Sequence, residues 1–262
     1  DIVKPDSVAS KDTAANNMQL SLEKYSIENG IVVYRDDASV MTATVTNLNH
    51  EGKGNFIADV FTLATKTTAD AVDFSYGGIP YLNKVKTSID AAIEVNTKNS
   101  KYSFNTENVK LNELQLTTQG FFQLLNDSTY AMDINFKAPS TEFKNILSFV
   151  PAIYQNNFAN IKTSGQAIFN GFVKGNYNST TIPAYNINLN VKNGYFKYPD
   201  LPKAVQNINL AVKVDNPDGI TDHTVVNIPQ AHIEFGADPF DFKLLVKNPV
   251  SNMFVDAAAK GK

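Results

Sequence analysis

The sequence predicts a mainly β protein, in which an antiparallel sheet built from repeated hairpins curls into a β-trough or open half-barrel, with one short helix near 141–150. Three observations support this fold class. Apolar and polar residues alternate with a period of two along most of the chain, as in strands with one buried face. Turn-forming residues separate the alternating segments. A ten-residue pattern occurs twice, at 27–36 and at 191–200.

The chain of 262 residues divides into four regions. Residues 1–17 are polar and lack a period, which is typical of a flexible lead-in. A first β-repeat region covers 18–140, a helical connector covers 141–160, and a second β-repeat region covers 161–262. Both β regions show the same alternation, so we expect them to form one continuous domain.

The repeated ten-residue pattern places Asn-Gly, Tyr and Asp at identical spacing in both copies. Asn-Gly is a strong signal for a two-residue type I′ turn, which needs positive φ at both central residues. We therefore predict a hairpin turn at each Asn-Gly, a Tyr that packs across the hairpin, and an Asp that ends the strand. The two sets are Asn29-Gly30, Tyr34 and Asp36, and Asn193-Gly194, Tyr198 and Asp200.

Strands of the first half show one-sided apolar faces, and Gly77-Gly78 is expected to end one of them. Alternation of this kind is typical of half-buried strands. The side chains predicted to share faces are Val72, Phe74 and Tyr76; Val85, Ile89, Ala91, Ile93 and Val95; and Tyr130, Met132, Ile134 and Phe136.

One segment breaks the β pattern between the two halves. Its apolar residues follow helical spacing, Ser140 is a suitable N-cap, and Pro151 discourages continuation. The sequence therefore predicts a short helix, and an apolar loop that plugs the sheet is the alternative. The apolar positions are Phe143, Ile146, Leu147 and Val150.

The second half has the clearest alternation, and its apolar faces are the candidate functional surface. A sheet with so little helix must hide such faces by closing into a barrel, folding as a sandwich, or curling into a trough that holds an apolar guest. In the trough, the candidate lining residues are Ile187, Leu189, Val191, Ile208, Leu210, Val212, Val214, Phe240, Phe242 and Leu244.

Composition and motifs disfavour several functions. The net charge is −3 and Arg35 is the only arginine, so we expect no nucleic-acid partner. The absence of cysteine excludes thiolate nucleophiles and thiolate zinc sites. His232 and Glu234 share one side of a strand, as two metal ligands would, and Asp222-His223 would add a third, but a solvent-facing polar row explains His232 and Glu234 better. With no nucleophile elbow, P-loop or dinucleotide fingerprint, we predict no enzyme activity, no catalytic residues, no metal and no cofactor.

Several stretches of the chain, taken together, are distinctive in their order and spacing, and they span nearly the whole chain after the lead-in. They are Tyr25–Asp36, Phe143–Tyr154 with Lys162–Gly165, Val173–Gly175, Pro183-Ala184 and Asn193–Pro202. In these stretches the chain resembles the AsmA-like family of Gram-negative envelope proteins.

The resemblance implies a β-rich periplasmic body of a bridge-like lipid carrier, anchored in the inner membrane by an N-terminal helix. It implies phospholipid, or another acyl-chain lipid, as partner, and a role in phospholipid transport and outer-membrane biogenesis. This chain lacks the anchor, so we expect a fragment that reaches the inner and outer membranes through missing parts. The alternatives are a structural β-sandwich or interaction module of the envelope without lipid and, third, an enzyme on a β scaffold.

Overall fold

The computed structural model describes residues 23–37, 40–148, 160–199 and 202–261. Thirteen strands among them form one antiparallel sheet whose strand order follows chain order. The predicted curled sheet of hairpins is confirmed, and it is open because the two edge strands of the described part do not pair with each other. The strands are β1 (Lys24–Asp36), β2 (Met41–Lys53), β3 (Val60–Tyr76), β4 (Ile79–Asn96), β5 (Lys101–Leu111), β6 (Leu114–Asn126), β7 (Thr129–Glu142), β8 (Lys162–Tyr177), β9 (Ala184–Lys197), β10 (Val205–Asn216), β11 (Val225–Phe235), β12 (Asp238–Lys247) and β13 (Phe254–Gly261).

The sheet has one apolar face and one polar face, as the period-two alternation predicts. Gly77-Gly78 forms the turn between β3 and β4, and the predicted one-sided strands of the first half are β3, β4 and β7. The predicted lead-in at 1–17 lies outside the described residues. Within the described ranges no helix is both long and apolar enough to cross a membrane.

Bulges and close strand approaches bend the sheet. Register shifts interrupt most strand pairs, including β1–β2, β3–β4 and β9–β10, and a bulge bends its strand and increases the local twist. Two glycines allow neighbouring backbones to approach closely. A Cβ atom at Gly120 would lie 1.8 Å from the Asp133 carbonyl oxygen, and one at Gly171 would lie 2.1 Å from the Asn186 carbonyl oxygen. Larger residues at these positions would force the strands apart.

The prediction that each Asn-Gly forms a hairpin turn is wrong. Asn29-Gly30 lies inside β1 and Asn193-Gly194 lies inside β9, at register shifts in both strands. The two asparagines have the predicted positive φ, 53° and 51°, but Gly30 and Gly194 do not. A left-handed residue suits a bulge as well as a turn, and the surrounding pairing selects the bulge. The chain does bend at Pro217-Asp218-Gly219, directly after β10.

The predicted helix is present as α1 (Phe143–Leu147), which contacts β6, β7, β8 and β9. It begins later than expected, because Ser140 belongs to β7 and the N-cap position is Glu142, whose side chain makes no capping hydrogen bond. Tertiary packing therefore holds this short helix. Val150 and Pro151 lie outside the described residues.

Two buried clusters meet at α1, and Ile146 packs against both. The first contains Phe143 and Leu147, and the second consists of residues of β5, β6 and β7. Together they hold ten of the fourteen buried apolar side chains of the described residues, so the core is concentrated at one place on the apolar face. The clusters are Phe143, Leu147, Ile161, Ala167, Val191 and Ile208, and Val109, Leu114, Leu116 and Ala138.

Candidate functional site

The ten candidate lining residues all lie on the apolar face. On β9 and β10 they are direct cross-strand partners: Val191 faces Leu210, Leu189 faces Val212, and Ile187 faces Val214. Ala231 of β11 connects them to β12, because it faces both Leu210 and Phe242. The remaining members are Ile208, which faces Gly194, Phe240, which faces Ile233, and Leu244, which faces Ile228.

Helix α1 divides these ten residues into two groups. Val191 and Ile208 are buried in the cluster that contains Phe143. They are core residues, closed to a ligand while α1 is in place. Ile187 is 37% exposed, and the other seven side chains are partly exposed. The open part of the predicted surface therefore lies away from α1.

The apolar face extends well beyond the ten candidate lining residues. Alternation along β4 and β7 predicts Ile93, Ile134 and Phe136 on such a face. On the neighbouring strands of the first half, glycine and threonine interrupt the pattern. Successive cross-strand partners from β3 to β8 are Leu63, Ile93, Phe104, Gly120, Ile134 and Val173.

A second row continues the face to the last strand. Its members belong to seven successive strands, and valine predominates. From β7 to β13 they are Phe136, Gly171, Ile187, Val214, Val226, Val246 and Val255. The two rows together cross the eleven strands from β3 to β13, which at a spacing of about 4.8 Å gives a path of roughly 48 Å across the strands.

The polar face carries the charged groups. Hydrogen bonds from the Lys24 and Lys53 ammonium groups lower the pKa of the Glu51 carboxyl to about 2. The His232 Nδ1 lies 2.7 Å from a carboxylate oxygen of Asp241, and this hydrogen bond raises the pKa of the imidazole. The register therefore places most of the charge on the polar face, and the acidic residues in step with the apolar face, Asp36 and Asp238, lie at strand ends.

The residues considered as metal ligands do not form a site. His232 and Glu234 are close, with 3.5 Å between Nε2 and a carboxylate oxygen, but His223 contacts Asp218 instead. Asp222 accepts hydrogen bonds from the backbone and side chain of Ser251. The described part of the chain contains no group of three His, Asp or Glu side chains placed to hold a metal ion.

A cavity of about 500 Å³ opens mainly on the polar face, over β5–β9. Five of its eleven lining residues carry amide side chains. Of these, Asn170 accepts a hydrogen bond from Asn188, and Asn186 donates one to the Asp215 carboxylate. Neutral polar groups suit such a lining, and acyl chains do not. The lining is Asn105, Thr117, Thr118, Gln119, Asn135, Phe136, Lys137, Asn170, Gly171, Phe172 and Asn186.

Comparison with known proteins finds no protein-family model, no curated protein and no solved structure that matches this chain. The chain's most extensive chemical feature is the apolar face, on which hydrocarbon side chains outnumber polar ones such as His50 and Thr67.

Proposed function

We propose that this chain is a non-enzymatic module of the cell envelope whose apolar face forms part of a groove for phospholipid acyl chains. It would act in phospholipid transport and outer-membrane biogenesis, in the periplasm, as a segment of an AsmA-like protein anchored in the inner membrane. The observation that carries the proposal is the apolar face of a single open sheet, whose rows of apolar cross-strand partners reach from β3 to β13. The sequence resemblance supports the same reading.

The binding energy would come from hydrocarbon that replaces water on this face. Removing apolar surface from water is worth about 25 cal/mol per Å², so even half an acyl chain contributes several kcal/mol. Leu210, Val212 and Val214 are partly exposed on consecutive inward positions of β10 and offer such a surface. Lipid headgroups would remain outside, where water and the lysines of the polar side solvate them.

A lipid-binding experiment tests the proposal directly. Protein purified from cells is analysed by native mass spectrometry for copurified phospholipid, and uptake of a fluorescent fatty acid is titrated. We expect bound lipid in the native chain and at least a roughly tenfold weaker uptake in Val212→Asp, because a carboxylate in the groove must be desolvated. Ala211→Asp is the matched control, since it adds the same charge one residue away on the polar face.

Circular dichroism and thermal unfolding show whether both variants keep the sheet. Lipid-free protein without uptake would contradict the proposal, as would equal uptake by Val212→Asp and the native chain. Such a result would favour the second candidate, a structural or protein-interaction module without lipid. The observation that favours this second candidate is the set of exposed apolar side chains on β1.

A further inference from the structure

The free edge of β1 is apolar on both faces of the sheet. Ile31 and Val33, 71% and 58% exposed, point to the polar face, while Val32 and Tyr34, 48% and 52% exposed, point to the apolar face. Within the described residues no strand pairs with β1 on the side away from β2. A long, exposed hydrophobic edge is a ready template for another strand.

Strands β8 and β9 of the same chain show how a partner strand pairs with an edge of this kind. In β1, Ile27 faces His50 and Gly30 faces Leu48. In β9, Val191 faces Leu210 and Gly194 faces Ile208, so β9 repeats the register of β1 around the same Asn-Gly bulge. On its other side β9 pairs with β8, which occupies the place that is open beside β1.

Strand β8 shows what such a partner requires. It runs antiparallel to β9, and Gly165 lies opposite the Asn-Gly bulge, between the pairs Ser164–Tyr195 and Gln166–Lys192. Gly165 has φ +104°, and a Cβ atom there would lie 2.6 Å from the Asn193 carbonyl oxygen. A glycine opposite the bulge is therefore a steric requirement.

We propose that β1 binds an extended polypeptide segment as an additional antiparallel strand, in the manner in which β8 binds β9. The segment carries glycine opposite Asn29-Gly30 and small or apolar side chains on the apolar face, as Ala167 and Phe169 of β8 do. Its backbone forms hydrogen bonds with the N–H and C=O groups at the free edge of β1, and its alternate side chains determine the register, as in β-strand addition.

Pairing of the exposed Ile31–Tyr34 segments of two copies does not meet these requirements. If β1 pairs with itself around Val32, Tyr34 falls opposite the bulge, and around Val33 the residue there is Asp36. Strand β13 runs in the same direction as β1, because eleven strands of alternating direction lie between the two edge strands. A copy with its apolar face on the same side could therefore offer β13 only in parallel.

The probe is a labelled synthetic peptide with the sequence of β8, Lys162–Tyr177, titrated into the full chain and followed by fluorescence anisotropy. We expect saturable binding that is at least roughly tenfold weaker in Val32→Asp, which places a charge on the edge. Val255→Asp on β13 is the matched control, because Val255 is 50% exposed on the other edge strand, and its binding should equal that of the native chain. A peptide with Gly165→Ala should bind roughly tenfold more weakly.

Disulfide trapping fixes the register, because the chain has no cysteine of its own. Thr163 faces Phe196 in β9, and Val32 is the counterpart of Phe196 in β1. A peptide with Thr163→Cys should therefore crosslink to the Val32→Cys chain, and one with Gln166→Cys should not. Circular dichroism confirms that each chain variant is folded.

Three results would overturn the proposal. The first is the absence of peptide binding, and the second is equal binding to Val32→Asp and the native chain, which would indicate exchange with β8 instead. The third is rapid disulfide formation between two Val32→Cys chains without peptide, which would identify a second copy as the occupant. Lipid uptake does not enter any of these measurements, so their failure is distinct from failure of the groove.

Discussion

The β1–β2 and β9–β10 hairpins share a hydrogen-bonding motif but differ in burial. In the first, the backbone N–H of Asn29 donates to Asn49 Oδ1, and Asn49 Nδ2 donates to the carbonyl oxygen of Asn47. In the second, Asn193 donates to Asn209, which donates to Asn207, with distances of 3.2 and 3.0 Å. All four bulge asparagines, 29, 47, 193 and 207, have φ between 50° and 53°.

Each motif also reaches a third strand. Asn47 donates to the Asp70 carboxylate of β3, and Asn207 hydrogen-bonds the Glu234 carboxylate of β11. This hydrogen bond is the main cause of the lowered pKa of Glu234. The repeat is therefore a three-stranded unit with two facing bulges, and the second bulge is an Asn-x-Asn sequence that the ten-residue pattern does not include.

The difference lies in what covers the two motifs. Ile27 is 43% exposed on β1, whereas its counterpart Val191 on β9 is 2% exposed. Strand β8 and helix α1 account for this, and Phe143 lies 3.2 Å from the position that a Cβ of Gly194 would occupy. The same local chemistry builds both bulges, and long-range packing alone decides which becomes core.

The largest difference in stability between the two hairpins is expected at the residue between the two asparagines of each motif, which is Ile208 in one and Leu48 in the other. Ile208→Ala removes a side chain from the α1 cluster and should cost about 2–5 kcal/mol of unfolding free energy. Leu48→Ala, at the equivalent but less buried position, should cost about 1 kcal/mol. Urea unfolding measures both, and equal losses would show that α1 and β8 do not distinguish the two sites.

This contrast also explains how much of the fold and of the candidate site the sequence predicts. Period-two alternation identifies the strands and their apolar side, because residue spacing alone determines which face of a strand a side chain is on. It does not distinguish a bulge from a turn at Asn29-Gly30 or Asn193-Gly194, since both conformations use the same left-handed asparagine. Nor does it show that Val191 and Ile208 are closed off, because that depends on Phe143, which reaches them only in the folded sheet.

A smaller loss of stability, equal in the two hairpins, is expected when the shared motif is removed from either of them. Asn49→Ala and Asn209→Ala each delete the side-chain acceptor of a bulge N–H, which should cost about 1 kcal/mol. The backbone amides of Asn29 and Asn193 should exchange with solvent faster in the respective variant. Hydrogen exchange by NMR measures both sites, and Asn188→Ala serves as a control outside the two motifs. A loss at one site only would show that the two units are not equivalent.

The smallest effect concerns the pH dependence of stability, which has opposite signs for a carboxylate of the first region and a histidine of the second. Glu51, on β2 of the first, has a pKa of about 2, below the ordinary 4.5, because Lys24 and Lys53 bond its carboxylate. Its contribution to stability is therefore present above pH 4.5 and is lost as the pH falls toward 2. Carboxylates of the second region, such as Glu234, act in the same direction.

His232, on β11 beside the second motif, acts in the opposite direction. The hydrogen bond to Asp241 raises its pKa above 6.5, and Glu234 adds to the effect. Its contribution is complete below pH 6.5 and is lost as the pH rises through the folded-state pKa. Imidazole NMR titration should give a value above 6.5 for His232, and Asp241→Asn should lower it. Because these side chains are partly exposed, added salt should reduce the shift. If Asp241→Asn left the pKa of His232 unchanged, the hydrogen bond to Asp241 would not be the cause of the raised value. The two units would then show no expected difference in how their stability changes at alkaline pH.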